Sequence, residues 1–197
     1  MSESRRRELQ LRKLSKFLSL LLRHRPARFP IGLDEQGYAD LDEVMRIVQG
    51  LPNFRWATIK DVEALLEQPG RQRFEIVEGD GGRRIRALYG HTALRPAYES
   101  IEPPDVLYHG TAPEALDAIR RDGIRPMQRQ YVHLTPDPEA ARSIALRHTP
   151  EPVILKIDAA NAHRDGVAFY HPTEGIYLTE GIEPKYVQVP AQGRGIR

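Results

Sequence analysis

RFEIVEGDGGRRIRALYG, residues 73–90, holds two short extended runs, Arg73–Glu78 and Ile85–Gly90, parted by Asp80-Gly81-Gly82. Asp-Gly between such runs is the chemistry of a tight hairpin, since a turn of that kind needs residues that tolerate positive φ. What precedes the hairpin decides its meaning. Thr58 with Asp61 opens a helix carrying Ile59, Val62, Leu65 and Leu66, ended near Pro69–Gly70. Before it, Asp40 followed by Glu43 resembles a capping box for a helix through Leu41, Val44 and Val48, with Gly50 a natural stop. The first helix spans Ser4 to Arg23. In it Leu11, Leu14, Leu18 and Leu21 or Leu22 recur at three- and four-residue steps, and Pro26 forbids continuation. Three helices and then a hairpin is the order of a winged helix. Such a module usually binds nucleic acid, and it also serves as a packing or protein-contact unit.

Beyond the hairpin, residues 95–104 (RPAYESIEPP) are polar and carry Pro96, Pro103 and Pro104. This predicts a linker over 96–104 between a lobe at 1–95 and another at 105–197. The second lobe is strand-rich: Val106–Thr111, Tyr131–Thr135, Val153–Asp158, Val167–Tyr170, Gly175–Thr179 and Tyr186–Val189 are short β-type runs. Helices are expected at Pro113–Arg121, ended by Gly123, and at Pro138–Arg147, capped by Asp137, while the tail from Gln192 to Arg197 is expected to fray. The fold class is α+β.

Composition narrows the chemistry. The 197 residues contain no cysteine, so disulfides, thiolate metal sites and cysteine nucleophiles are excluded. No apolar run approaches the roughly 18 residues that cross a bilayer, and the charged start at Met1–Gln10 does not read as a signal peptide. The expected protein is cytoplasmic and monomeric, with no membrane partner. Residues 1–104 carry 18 Lys+Arg against 15 Asp+Glu, a net +3, whereas residues 105–197 carry 11 against 12, a net −1. Of the 29 basic residues, 24 are arginine. Arginine suits bidentate phosphate contacts better than lysine, although genomic base composition explains much of such a bias.

Four constellations could carry chemistry. Arg23-His24-Arg25-Pro26 places cations and an imidazole where proline breaks the chain, fit either to grip a phosphate and donate a proton or simply to complement a helix C-terminus. Arg86 shares a strand face with Leu88 and Gly90, opposite Ile85, Ala87 and Tyr89, an odd setting for a solvated charge unless a salt bridge holds it. Tyr108-His109-Gly110-Thr111 ends one strand just before a helix, and Tyr131-Val132-His133-Leu134-Thr135 forms the next. Together they suggest a nucleotide cradle, while a lone strand histidine is as readily a hydrogen-bonded core residue. A metal reading is weak, because seven histidines come without any H-E-x-x-H pattern. Gly175-Ile176-Tyr177-Leu178-Thr179 and Arg129 say by themselves only "strand" and "loop cation".

The order and spacing say more. LSKFLSLLLRHRP, IRALYGHT, LYHGT, RQYVHLT and GIYLT, in this order, resemble the signature of the Tpt1/KptA RNA 2′-phosphotransferases, a match that spans about Leu14 to Tyr186. The resemblance implies a winged-helix lobe joined to an ADP-ribosyltransferase-like lobe. It implies a catalytic tetrad of Arg23, His24, Arg86 and Arg129, with NAD held by His109, Gly110, Thr111, His133 and Ile176. Ile176 stands where many ADP-ribosyltransferases carry glutamate. RNA contacts are expected from Lys16, Arg25, Gly90, His91 and Thr92.

The implied partner is 2′-phosphorylated RNA, tRNA among the candidates, with NAD consumed as co-substrate and no metal. In the implied reaction the 2′-phosphate attacks C1″ of the nicotinamide riboside and expels nicotinamide. O2″ then attacks the phosphorus, leaving 2′-hydroxyl RNA and ADP-ribose 1″,2″-cyclic phosphate. On this reading Arg23, Arg86 and Arg129 clamp the phosphate, and His24 protonates the departing 2′-oxygen. Two departures stand out: the family usually has Gln-Gly-His-Ser at Tyr89-Gly90-His91-Thr92, and commonly His-Val-His-Leu at Tyr131–Leu134. The alternatives are an ADP-ribosyltransferase that caps 5′-phosphorylated nucleic acid, and a non-catalytic winged-helix binder.

Overall fold

Leucines at helical spacing with a proline stop build the first element, α1 (Glu3–Ser19), whose Ser2 cap accepts the Arg5 N–H at 3.4 Å. These details come from a computed structural model that describes residues 2–68, 72–79 and 81–190. The chain divides into two compact units, Met1–Ala97 and Tyr98–Arg197. The described residues form a mixed α/β fold of six α-helices and three small antiparallel sheets.

In the first unit α1 does not simply stop at the proline. It runs into a π-helical turn, Leu20–His24, in which the Arg25 N–H bonds back to the Leu20 carbonyl at 2.9 Å. Single π turns of this kind widen a helix by one residue. Here the widened turn ends on Arg23 and His24, and Arg25 leaves the helical region at φ −142°. β1 (Ala39–Asp40) follows, and the Asp40 carboxylate caps α2 (Leu41–Gly50) by accepting the Glu43 N–H at 2.7 Å. α3 (Ile59–Leu66) opens on a complete Thr58/Asp61 capping box. β2 (Phe74–Gly79) and β3 (Gly82–Ala87) pair from Phe74↔Ala87 to Gly79↔Gly82, and β1 adds to the far edge of β3. Of the expected turn, Asp80 lies outside the described residues, as do the helix stop at Pro69–Gly70 and the tail 192–197. Leu14, Leu18, Leu21 and Leu22 meet Leu41, Val44, Val48, Val62, Phe74 and Ile85 in one core.

The second unit starts within the expected linker, where Ser100–Ile101 forms β4 and pairs with β8 (Phe169–Thr173). A backbone that finds a sheet edge satisfies its N–H and C=O groups there, whatever its polarity. One sheet runs β10-β7-β5, from β5 (Val106–Thr111), β7 (Val153–Asp158) and β10 (Val187–Gln188). The other runs β4-β8-β9-β6, with β6 at Val132–Leu134 and β9 at Ile176–Thr179. The two sheets touch where Tyr108 and Thr135 exchange backbone hydrogen bonds of 2.7 and 3.1 Å.

Around them lie α4 (Leu116–Asp122), α5 (Pro138–Ala145) and α6 (Ala159–Arg164). α6 was not expected from the sequence. Its alanine-rich run AANAHR has little apolar periodicity, but Asp158 caps it through the Asn161 N–H. Leu107, Leu155, Ile157, Phe169, Val132 and Leu134 form this unit's core.

Candidate active site

In the first unit the π turn and the segment after β3 meet. The Arg23 carbonyl accepts the N–H groups of Thr92 and Ala93 at 3.1 and 3.3 Å, stitching the two stretches together. The Arg23 side chain is buried. Its guanidinium lies over the rings of Tyr89 (4.8 Å) and Phe74 (5.5 Å), and its Nη2 donates to the Arg73 carbonyl at 3.1 Å. Tyr89, one of the departures noted above, therefore forms a wall of the Arg23 site. Gly90 stands at φ +83°, and a Cβ there would come 3.4 Å from Arg23 Nη1.

His24 is exposed, with Nδ1 3.1 Å from the Thr92 hydroxyl oxygen. That hydroxyl reaches the Arg23 carbonyl at 3.5 Å, the limit of a hydrogen bond. With the hydroxyl donating to the carbonyl, His24 donates from Nδ1.

His91 is 3 % exposed, and its Nε2 makes no hydrogen bond among the described residues. Burial, and then the positive fields of Arg23, Arg86 and His24, push its pKa from 6.5 down to about 4. It is a neutral imidazole amid cationic groups. This one buried ring registers Arg23, His24 and Arg86 together, so the first unit gathers three of the expected catalytic residues in one neighbourhood. Arg86 itself is the penultimate residue of β3, where its Nε donates to Glu75 directly across the hairpin. The strand ends at Ala87, so the face expected to include Leu88 and Gly90 is not continued. Lys16 and Arg25 are exposed on and just beyond the same first helix.

The second unit holds a cavity of about 510 Å³ lined by, among others, His109, Gly110, Arg129, Tyr131, His133 and Thr135. β5 and β6 supply the histidines, and α5 closes one side. His109 Nδ1 lies 3.0 Å from the His133 carbonyl, and His133 Nδ1 lies 3.0 Å from that of Tyr131. A carbonyl only accepts, so both rings carry their proton on Nδ1, and each Nε2 is an acceptor while neutral. Burial first, with Arg129 adding to it, lowers the His109 pKa against the opposing pull of the carbonyl bond. Gly110 packs on α5 so closely that a Cβ would lie 2.6 Å from the Ala141 carbonyl oxygen. Thr111 ends β5 and the buried Ile176 begins β9; neither is among the cavity's described lining residues.

Several lining and supporting residues escaped the sequence reading. Arg125, Gln128 and His148 line the cavity, and no motif announced them. Glu75 and Tyr38 hold Arg86. The register of a two-residue turn sets residue 75 opposite residue 86, which would have found Glu75. Among the described residues no group of three or more His, Asp or Glu side chains could hold a metal ion, and no helix is long and apolar enough to cross a membrane.

Comparison with known proteins bears on this arrangement. The model of the RNA 2′-phosphotransferase, Tpt1/KptA family matches residues 9–181. A protein of Burkholderia lata named "Probable RNA 2′-phosphotransferase" is 39 % identical over 180 residues, covering 89 % of each chain. Proteins of the same name in Streptomyces coelicolor (37 %, 91 % of this chain and 95 % of that one) and Archaeoglobus fulgidus (numbered 1 there; 36 %, 91 % and 81 %) are similar.

Proposed function

The chain belongs to the Tpt1/KptA family of RNA 2′-phosphotransferases, and from that premise we propose that it uses NAD to remove an internal 2′-phosphate from RNA, with spliced tRNA a candidate substrate. The observation that carries the reading is the seam where the Arg23 carbonyl accepts the Thr92 and Ala93 N–H groups and His24 meets the Thr92 hydroxyl, beside a buried His91 that lies in the positive fields of Arg23, Arg86 and His24. Such a gathering of positive charge has a natural counterpart in a phosphate dianion.

The three helices and hairpin of the first unit fit a winged-helix RNA-binding lobe. The strand-rich second unit fits an ADP-ribosyltransferase-like lobe that takes NAD. His109 presents an acceptor nitrogen suited to a ribose hydroxyl, and the cavity volume is in the range of small-molecule sites, roughly 300–1,000 Å³. NAD supplies an electrophilic ribose carbon with nicotinamide as leaving group. Arg23 and Arg86 would neutralise the 2′-phosphate and orient one oxygen for attack. His24 would donate a proton from Nε2 to the departing RNA 2′-oxygen, its other nitrogen being held by Thr92. Ile176 in place of glutamate is consistent with this logic, because an anionic nucleophile needs no base to activate it.

The test is to incubate the protein with a 2′-phosphorylated oligoribonucleotide, with and without NAD, following the RNA end and free nicotinamide. NAD-dependent conversion to 2′-hydroxyl RNA is expected. A stable ADP-ribosylated nucleic acid would instead indicate a transferase that stops after the first step, and no nicotinamide release with any RNA would indicate a non-catalytic binder.

A further inference from the structure

Arg86 is held on several sides. Its Nε donates to the Glu75 carboxylate, its cross-strand partner. Its Nη1 donates to the Gln36 carbonyl at 3.3 Å. The Tyr38 ring lies 4.5 Å from the guanidinium carbon, and the Tyr38 hydroxyl donates to the same Glu75 Oε1 at 2.7 Å. The loop that brings Gln36 and Tyr38 there is itself tied down, because Asp34 Oδ1 accepts the N–H groups of Gln36 (3.0 Å) and Tyr38 (2.8 Å). Asp34 also pairs with Arg84, whose guanidinium carbon lies 4.9 Å from the centre of the Tyr38 ring. Only Nη2 of Arg86 makes no hydrogen bond among the described residues.

We propose that Glu75 and Tyr38 are positioning residues that hold the Arg86 guanidinium so that its Nη2 edge meets the RNA phosphate. An arginine side chain loses rotamer freedom when it is fixed. Here that cost is met in folding rather than in substrate binding. Glu75 engages Nε, the nitrogen nearest the backbone, and so leaves Nη2 open while Gln36 takes Nη1. A carboxylate that competed with the phosphate would instead occupy the outer nitrogens. The polar splint also explains how the charge tolerates being mostly buried, at 20 % side-chain exposure beside a Glu75 that is 27 % exposed. The inference rests on the reading of Arg86 as a phosphate contact.

The experiment measures steady-state constants for RNA and for NAD separately in Glu75→Ala, Glu75→Gln, Tyr38→Leu, Arg86→Ala and the Glu75→Ala/Arg86→Ala double variant. Alongside, without NAD, it measures the affinity ratio of a 2′-phosphorylated oligoribonucleotide to its 2′-hydroxyl counterpart. Glu75→Ala and Tyr38→Leu should each lower kcat/KM for RNA about 10-fold and shrink the affinity ratio, with the KM for NAD unchanged. Glu75→Gln, which keeps an acceptor for Nε, should recover to within about threefold, and the double variant should be no worse than Arg86→Ala alone. An additive double variant, or a Glu75→Ala enzyme that binds phosphorylated RNA more tightly, overturns the proposal. If Arg86→Ala alone leaves turnover intact, the reading of Arg86 falls and takes this inference with it. If Arg86→Ala is impaired while Glu75→Ala is not, only this inference falls.

Discussion

His24 and Thr92, separated by 68 positions in sequence, meet with 3.1 Å between an imidazole Nδ1 and a hydroxyl oxygen. The contact joins the end of the first helix to the segment after the hairpin, and in the proposed mechanism it orients the imidazole. Thr92→Val should therefore lower kcat about 5- to 10-fold, the value of roughly one hydrogen bond. His24→Ala should cost about 100-fold or more, as loss of a general acid does. Rapid-quench turnover of a 2′-phosphorylated oligonucleotide would check both, and equal effects would argue that His24 acts only through packing.

Arg86→Ala and Arg129→Ala should each reduce turnover roughly 10- to 100-fold, corresponding to one charge-assisted hydrogen bond of about 1.5–3 kcal/mol. Arg86→Ala should weaken binding of 2′-phosphorylated RNA far more than binding of NAD in calorimetry, since the partner proposed for Arg86 is the RNA phosphate. Arg129 lines the cavity with His109, so its replacement should weaken NAD binding as well.

His91 makes the first unit sensitive to acid. In the folded chain its pKa is lowered from 6.5 to about 4, so the unfolded chain takes up the proton first. Stability is then full above pH 6.5, falls as the pH drops below that value, and levels off below about 4. The loss attributable to this group reaches about 2 kcal/mol by pH 5. Denaturant unfolding at pH 7.5 and pH 5 would measure it, and a His91→Asn variant should show a pH dependence flatter by that amount.

Gly110→Ala should disrupt the second unit. The added methyl would lie 2.6 Å from the Ala141 carbonyl oxygen and 2.7 Å from the Ala145 Cβ, so α5 must move away from β5. Overpacking of this kind costs about 1–3 kcal/mol. Because α5 also lines the cavity, the variant should lose NAD affinity while its first unit keeps binding RNA. Thermal unfolding and NAD titration together distinguish this from a uniformly unfolded protein.

Local chemistry made much of this molecule legible from its residues alone. The leucines of α1, the Thr58/Asp61 box and the paired runs of the hairpin announce themselves because helices, caps and tight turns are decided by neighbours a few positions apart. Val106–Thr111 and Val153–Asp158 were located to the residue for the same reason. The motif order also pointed to the family and to Arg23, His24, Arg86 and Arg129.

What the sequence alone did not disclose depends on distance in space. The π turn at Leu20–His24 needs the helix to be pinned by its packing and by the Thr92 and Ala93 bonds to the Arg23 carbonyl. The pairing of Ser100–Ile101 with β8 needs a free sheet edge that no local pattern records. Above all, the neutral state of His91 and the splint of Glu75 and Tyr38 on Arg86 arise only when charges from separate segments share a poorly hydrated space. Sequence sets which groups are available. Burial and mutual distance, which belong to the folded chain, decide their charge and their aim.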